Sequence, residues 1–442
     1  MIIAKFGGKS VATAKNIETI CRIVKSEIKN KPVIVVSAVS QVTNMLLDLS
    51  EADSIGFEPI FNRIKDTNFG LATQLWAENI PKDVTIYLES CLENVKKNAK
   101  KMDKTKADMD SLLMNGELMS SYIVACALSH YGIKSQQVVA TDLIVTNSEF
   151  GSAEFIPGLT VKKTKQIIDP LIKAGIVPVI TGFLGATEKG EPTTLGRGGS
   201  DYSASIIGFA LDATEVQIWS DVDGVFTADP RAVKAAKMIK NISFKEASEL
   251  AYFGAKILHP STLRPAMKAG IPVRVMNTMN PKSPGTIIQK ESEKNGEIKA
   301  ITSKKSIKLI NLYSEDMLFG KGFLASIFAI FAKHSISVDL VSVSEVSVSV
   351  TLDNQDNLQM ALKELSEFTA VANIPDFGIV SLVGDEIVKI PHIMKRIFAI
   401  LDEQKIGVKM ISLGATDVNI SLVIESSKID EAVEILHEGL IN

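Results

Sequence analysis

Short runs of β-branched and aliphatic residues recur along the first 280 positions, and each is followed by a stretch long enough for a helix. Ile2 to Phe6, Val33 to Val36, Ser135 to Val139, Ile176 to Thr181, Glu215 to Trp219 and Val273 to Asn277 read as strands buried on both faces. Between them, Asn16 to Lys29, Leu118 to His130, Thr164 to Ala174 and Tyr202 to Leu211 have helical length and spacing. Buried strands joined by crossover helices predict an α/β fold, a doubly wound and mainly parallel sheet with helices on both faces. Residues 44–112 interrupt this rhythm with further helical segments, and the tract KKNAKKMDKTKAD reads as a solvated helix end and loop.

The texture changes at Thr278 to Lys299, where NPKSPG and KESEKNGE bring proline, glycine and charge. Beyond it the tetrapeptide Ile-Phe-Ala-Ile occurs at 327–330 and again at 397–400, an offset of 397 − 327 = 70. Ile336-Ser-Val and Ile406-Gly-Val keep that offset, so one unit is present twice. The first copy reads as strand Ile307 to Leu312, helix Phe323 to His334, strands Ser337 to Val343 and Val346 to Leu352, helix Leu358 to Leu365 and strand Ile379 to Val383. That order is the ferredoxin-like βαββαβ pattern. The second copy lacks an obvious last strand after Ile429 to Leu436, while the extended piece Ile298 to Ser303 precedes the first. The expected organisation is therefore an α/β domain over 1–285, a first repeat over 304–384, and a second repeat built from 297–303 with 385–442.

At 442 residues the chain exceeds what a single core serves, and 46% hydrophobic with 22% charged residues is ordinary for globular protein. The charge balance, 48 basic against 51 acidic residues, gives −3, which supplies no field for nucleic acid or an anionic membrane. Cys21, Cys91 and Cys126 have no paired spacing, which fits a reducing compartment. The five histidines are too scattered for a local zinc motif. Apolar runs such as Val33 to Val36 are strand-sized, and the reading is a cytoplasmic protein without a membrane segment.

Strand Ile2 to Phe6 ends in Lys5-Phe6-Gly7-Gly8-Lys9-Ser10 at a helix start, where glycine amides and a cation could meet an anion. A Walker A loop is excluded because position 3, where its first glycine belongs, is Ile. A second glycine cluster, Gly196-Arg197-Gly198-Gly199-Ser200-Asp201, also precedes a helix; capping explains Ser200 or Asp201 but not an arginine between glycines. Glu117, in Asn115-Gly116-Glu117, is expected at the N-terminal end of an apolar helix, where the dipole favours a carboxylate. Ser220-Asp221-Val222-Asp223-Gly224 leaves the carboxyl end of a strand, the usual nucleotide position of such sheets, and its glycine is misplaced for a calcium loop. Lys256 could add a cation for phosphate or simply face solvent, and His259 reads as a packing residue.

The ordered blocks KFGG at 5–8, SAVSQVTN at 37–44, NGELMSS at 115–121, GRGGSDYSA at 196–204, WSDVDGVFTADPR at 219–231 and FGAKILHP at 253–260 resemble aspartate kinases of the amino-acid kinase family. The resemblance covers essentially the whole chain, and the duplicated units look like paired ACT domains. It implies ATP phosphates at Lys5, Gly7 and Gly8, and the rest of the nucleotide at Ser220, Asp221, Phe226, Arg231 and Lys256. It places aspartate at Ser37, Thr43, Glu117, Arg197 and Ser200, with Lys5, Arg197 and Asp201 as the catalytic set and Asp201 orienting the lysine. Magnesium would arrive with ATP rather than in a protein metal site. Two positions depart from the pattern: Lys9 stands where Thr or Ser is usual, and Phe226 where many relatives have Tyr.

The first repeat resembles that of lysine-inhibited aspartate kinases in particular. This implies an amino-acid effector, L-lysine, at Met317, Gly322, Phe323, Leu324, Asp339, Ser344, Glu345 and Val346, and a homodimer or dimer of dimers through the ACT units. The aligned residue of the second repeat is Lys409, of opposite charge, so only the first unit suits a cationic effector. Gly320 and Val343 replace hydroxyl residues of those relatives. The resemblance also implies the first committed step toward lysine, threonine and methionine, with no dehydrogenase module expected after the second repeat. A kinase for another acidic substrate, or a catalytically silent amino-acid sensor, are the competing readings.

Overall fold

A computed structural model describes residues 1–442 other than 78, 102, 255–257, 259, 292–296, 319, 353–356, 415, 416 and 442. In chain order the elements are β1 (Ile2–Phe6), α1 (Ala14–Ser26), β2 (Val33–Val36), α2 (Val42–Glu51), α3 (Phe57–Trp76), α4 (Lys82–Ala99), α5 (Lys106–His130), β3 (Ser135–Val138), β4 (Val145–Thr146), α6 (Pro157–Lys173), β5 (Val177–Thr181), β6 (Leu184–Thr187), β7 (Pro192–Thr194), α7 (Gly199–Ala210), β8 (Glu215–Ser220), β9 (Asn241–Ser243), α8 (Phe244–Tyr252), α9 (Arg264–Ala269), β10 (Val273–Asn277) and β11 (Thr286–Gln289). The repeats contain β12 (Ala300–Tyr313), α10 (Phe323–Lys333), β13 (Val341–Val343), β14 (Ser347–Leu352), α11 (Leu358–Leu365), β15 (Ala370–Val383), α12 (Ile393–Glu403), β16 (Val408–Leu413), β17 (Asn419–Glu425) and α13 (Ile429–Leu440). The chain forms two compact units, one of residues 1–225, 240–244 and 257–291, the other of 226–239, 245–256 and 292–442.

The first unit is built on a sheet of order β3-β5-β2-β1-β8-β10-β11-β9, parallel except for the β10–β11 pair. Every expected strand is present, but β3 (SQQV) lies at the edge with only Val138 buried, so the expectation of burial on both faces fails there, whereas the β-branched runs of β1, β2 and β5 are fully covered. β1 lies at the centre, all five of its residues buried, and Phe6 stacks on Trp219 of the neighbouring strand at 5.9 Å. The charged tract ends α4 and leads to α5, which starts at a reciprocal cap between Thr105 and Asp108.

α5 corrects one expectation. It begins at Lys106 rather than Leu118, so Glu117 sits well inside the helix and the dipole of its first turn does not account for the carboxylate. It is also long and apolar enough to cross a membrane by length and composition, with 72% of that window buried inside the protein. Asn115, Glu117 and Ser120 break its apolar runs, which is why it does not stand out as a long apolar stretch.

The second unit holds a sheet of order β13-β14-β12-β15-β17-β16, with every neighbouring pair antiparallel. β12 and β15 are each one long strand serving both repeats. Lys308 to Tyr313 pair with β14, whereas Ala300 to Lys304 pair with Ile379 to Val383, which in turn lie beside β17. Ile379 to Val383, expected to close the first repeat, therefore lie in the half of β15 next to the second, and Ala370 to Asn373 pair with the first repeat's half of β12. The strand expected from Ser337 is shorter, Val341–Val343.

This unit also captures two segments that precede it in sequence. Ala228 and Val233 join the core formed by β15, β17, α12 and α13, and Phe253 packs with Ile307, Leu309, Leu340, Phe377 and Ile379. α8 is tied down by its buried Glu246, which accepts from the Asp385 amide (3.0 Å) and pairs with Lys299 (3.3 Å).

Candidate functional site

The carboxyl ends of β1 and β2 and the N-terminus of α7 surround a cavity of about 390 Å³ in the first unit. Its walls include Lys5, Gly8, Ser37, Thr43, Glu117 and Arg197, with Ser200 and Asp201 beside them. Sequence blocks far apart in the chain thus meet at one place, as parallel topology requires when loops leave neighbouring strands at the same edge.

Close backbone approach builds one side of the cavity. A Cβ on Gly8 would lie 2.8 Å from the carbonyl oxygen of Ala38, so only glycine lets the loop after β1 lie against the loop after β2. The Ser40 amide donates to the Gly8 carbonyl at 3.1 Å, and the Gly7 amide to Trp219 O at 3.1 Å. Lys5, 8% exposed at the end of β1, directs its ammonium to Asp201 in the first turn of α7 at 2.5 Å.

The opposite wall is α5. Gly116 permits its approach, since a Cβ there would meet that of Ala38 at 2.9 Å. Ser120 then donates to Ser37 O (2.7 Å), and Glu117 Oε1 accepts from the Ala38 amide (3.1 Å). Glu117 Oε2 is buried with no hydrogen-bond partner among the described residues. Burial pushes the Glu117 carboxyl up to about 8, opposed by the Ala38 amide and the charge of Lys5. A carboxylate oxygen left in this state is a receptor for a cation.

Arg197 supplies the opposite charge. It is exposed between Gly196 (φ 74°) and Gly198 (φ 71°), and has no ion-pair partner among the described residues. A buried carboxyl, a guanidinium without an ion-pair partner among the described residues and a lysine directed by Asp201 therefore line one cavity, an arrangement complementary to a small zwitterion whose ammonium would favour ionisation of that carboxyl. Sequence reasoning missed Ser40, Gln41, Asn44 and Phe183 in the lining. The left-handed backbone of Gln41 (φ 72°) and Phe183 (φ 69°) carries no signature in the sequence.

Of the expected nucleotide residues, Ser220 ends β8 and Asp221 follows it, both in the first unit. Asp221 pairs with Lys9 at 2.7 Å, and this hydrogen bond holds its carboxyl below the usual range. Phe226 and Arg231 belong to the second unit, Phe226 bridging to Met238 and exposed Arg231 clasping Asp229 at 2.7 Å. Lys256 and His259 lie outside the described residues.

In the second unit, Gly322 (φ 87°) precedes α10, where Phe323 packs edge-on against Phe368, Leu324 is exposed and Met317 is half-buried. Asp339 is only 3% exposed in its side chain; it pairs with Lys304 at 3.1 Å and accepts from the Tyr252 hydroxyl at 2.8 Å. Ser344 bonds Ser347 after β13, exposed Glu345 and half-buried Val346 follow, and Lys409 is exposed on β16.

A family model of the amino acid kinase family matches residues 1–277, and one of the ACT domain matches 380–440. Lysine-sensitive aspartokinase 3 of Escherichia coli is 36% identical over 453 residues, covering 100% of this chain and 99% of that protein. The chain belongs to the aspartokinases of the amino acid kinase family. This kinase shares its fold with Escherichia coli aspartokinase III in complex with aspartate and ADP in the R-state, at TM-score 0.89 and 34% identity with both chains fully covered. The T-state of that enzyme in complex with lysine and aspartate aligns at TM-score 0.86, again over 100% of both chains. The α/β sheet and ACT regulatory fold read from the sequence, and the aspartate kinase activity, are in accord with these relatives.

Proposed function

We propose that the kinase transfers the terminal phosphoryl of ATP to the side-chain carboxylate of L-aspartate, forming 4-phospho-L-aspartate for lysine, threonine and methionine synthesis. The observation that carries this reading is the partnerless Glu117 oxygen in the same cavity as free Arg197 and the Lys5–Asp201 pair. Glu117 takes the substrate ammonium and Arg197 its α-carboxylate, with Ser37, Thr43 and Ser200 completing the pocket. The remaining carboxylate then faces the phosphate loop.

An aspartate side chain, with a pKa of about 3.9, is ionised at neutral pH and needs no general base. The chemical difficulty is the repulsion between two anions. Lys5 and the glycine loop lower that barrier by holding positive charge where it develops on the phosphoryl oxygens during in-line transfer. Asp201 orients the Lys5 ammonium. Ser220, Asp221, Phe226, Arg231 and Lys256 are proposed for the rest of the nucleotide. Magnesium that accompanies ATP keeps most of its waters and needs few protein ligands. Among the described residues no group of three or more His, Cys, Asp or Glu side chains could hold a metal ion, so such an ion would rest on the nucleotide, whose phosphate charge it would neutralise.

The repeats are proposed to bind L-lysine as a feedback inhibitor at Met317, Gly322, Phe323, Leu324, Asp339, Ser344, Glu345 and Val346, with copies pairing as a homodimer or dimer of dimers. The Escherichia coli enzyme solved with lysine supports the effector, and exposed Val341 and Val343 on the outer strand β13 support pairing. Phosphoryl transfer from ATP to a panel of acidic amino acids, with lysine, threonine and methionine added in turn, tests both halves. Turnover of aspartate inhibited by lysine is expected; preference for another acid overturns the substrate, and indifference to lysine overturns the effector.

A further inference from the structure

Asp110 is buried to 1% exposure, and the substrate reading gives it no task. Its carboxylate accepts from the Gly151 amide (2.9 Å), the Thr194 amide (2.9 Å) and the Thr194 hydroxyl (2.7 Å). No ion-pair partner accompanies it among the described residues, so three dipoles, one from the loop after β4 and two from the last residue of β7, hold the charge in place of a cation. Those segments are also joined directly, the Ala153 amide donating to Thr194 O at 2.9 Å. Thr194 leads within three residues to Arg197, whose flanking glycines at φ 74° and 71° impose little rigidity of their own. The position of the guanidinium therefore depends on what fixes Thr194.

Asp110 stands on α5 seven residues before Glu117. Seven residues are two helical turns, so both carboxylates project from one face about 10 Å apart along the axis. One helix thus carries the receptor for the substrate ammonium and the anchor of the loop bearing the receptor for its α-carboxylate. We propose that Asp110 is a positioning residue that fixes the Glu117-to-Arg197 separation, and so sets the preference for aspartate over the acid one methylene longer. This rests on the assignment of Glu117 and Arg197 to the two ends of the amino acid. When the anchor holds, glutamate bound at those ends carries its side-chain carboxyl past the reacting position. A loosened loop weakens aspartate binding and gives the longer acid room.

The test measures kcat and KM for aspartate, glutamate and ATP in Asp110→Asn, Thr194→Val, Thr194→Ser and Arg197→Met. Asp110→Asn replaces the charged acceptor shared by the Gly151 and Thr194 amides with a weaker neutral one, and Thr194→Val removes one hydroxyl while keeping shape, so a folding failure of the first leaves the second informative. Expected are an aspartate KM raised at least tenfold in Asp110→Asn and about threefold in Thr194→Val, an ATP KM within twofold, and at least fivefold lower aspartate-to-glutamate discrimination in kcat/KM for Asp110→Asn. Thr194→Ser restores the wild-type values. Unchanged aspartate KM in both anchor variants, or aspartate and ATP KM rising in parallel with a lowered Tm, overturns the positioning role. Arg197→Met with an unaltered aspartate KM overturns instead the substrate assignment beneath it.

Discussion

The Lys5 ammonium lies 2.5 Å from Oδ1 of Asp201, with side chains only 10% and 15% exposed. A strand end and the first turn of α7 thereby fix a positive charge at the cavity wall, preorganised for the proposed transfer. Lys5→Ala is expected to lower kcat by about 10²- to 10³-fold, with aspartate KM changed far less. Steady-state kinetics with unchanged turnover would contradict the catalytic role.

Glu117 gives a prediction with a sign. Its carboxyl titrates at about 8 in the folded protein against an ordinary 4.5, and only the ionised form attracts the substrate ammonium. The kcat/KM for aspartate should rise with pH toward and through about 8, and Glu117→Gln should abolish that rise while raising KM. Between about 4.5 and 8 the folded state binds more protons here than the unfolded chain, so this group costs stability increasingly as pH rises. Thermal melts should show Glu117→Gln raising Tm more at pH 8.5 than at pH 5. An equal gain at both would disprove the titration.

The unusual Lys9 forms its ion pair with Asp221 at the surface, the side chains 65% and 44% exposed. Exposed pairs contribute roughly 0–1 kcal/mol. Lys9→Thr should therefore leave Tm within about 2 °C and change ATP KM by less than about threefold. A tenfold loss of ATP affinity would assign Lys9 to the phosphates.

Asp339 is already occupied by the Lys304 ammonium and the Tyr252 hydroxyl. An effector ammonium directed to Asp339 must displace an internal one, which reduces its apparent affinity. Lys304→Met is expected to lower the L-lysine concentration for half-inhibition about three- to tenfold, and Asp339→Ala to abolish inhibition measured against that variant's own uninhibited rate. Weaker inhibition in Lys304→Met would show that the internal lysine helps to form the site rather than competes for it.

The parallel core, the duplicated repeat and most cavity residues were legible because each has a local cause. Buried strands require unbroken β-branched runs, duplication leaves a constant offset, and close loop contacts require glycine at positions such as Gly8 and Gly116. What local pattern could not give was the continuity of β12 and β15 across both repeats, the start of α5 twelve residues before Leu118, or the burial of Asp110 and Asp339. Those features depend on which distant segments cover a residue. Residue types and spacing specified the charges available to the kinase; tertiary packing alone decided which of them are paired, which are buried and which remain open to a ligand, because electrostatic environment is set by neighbours in space.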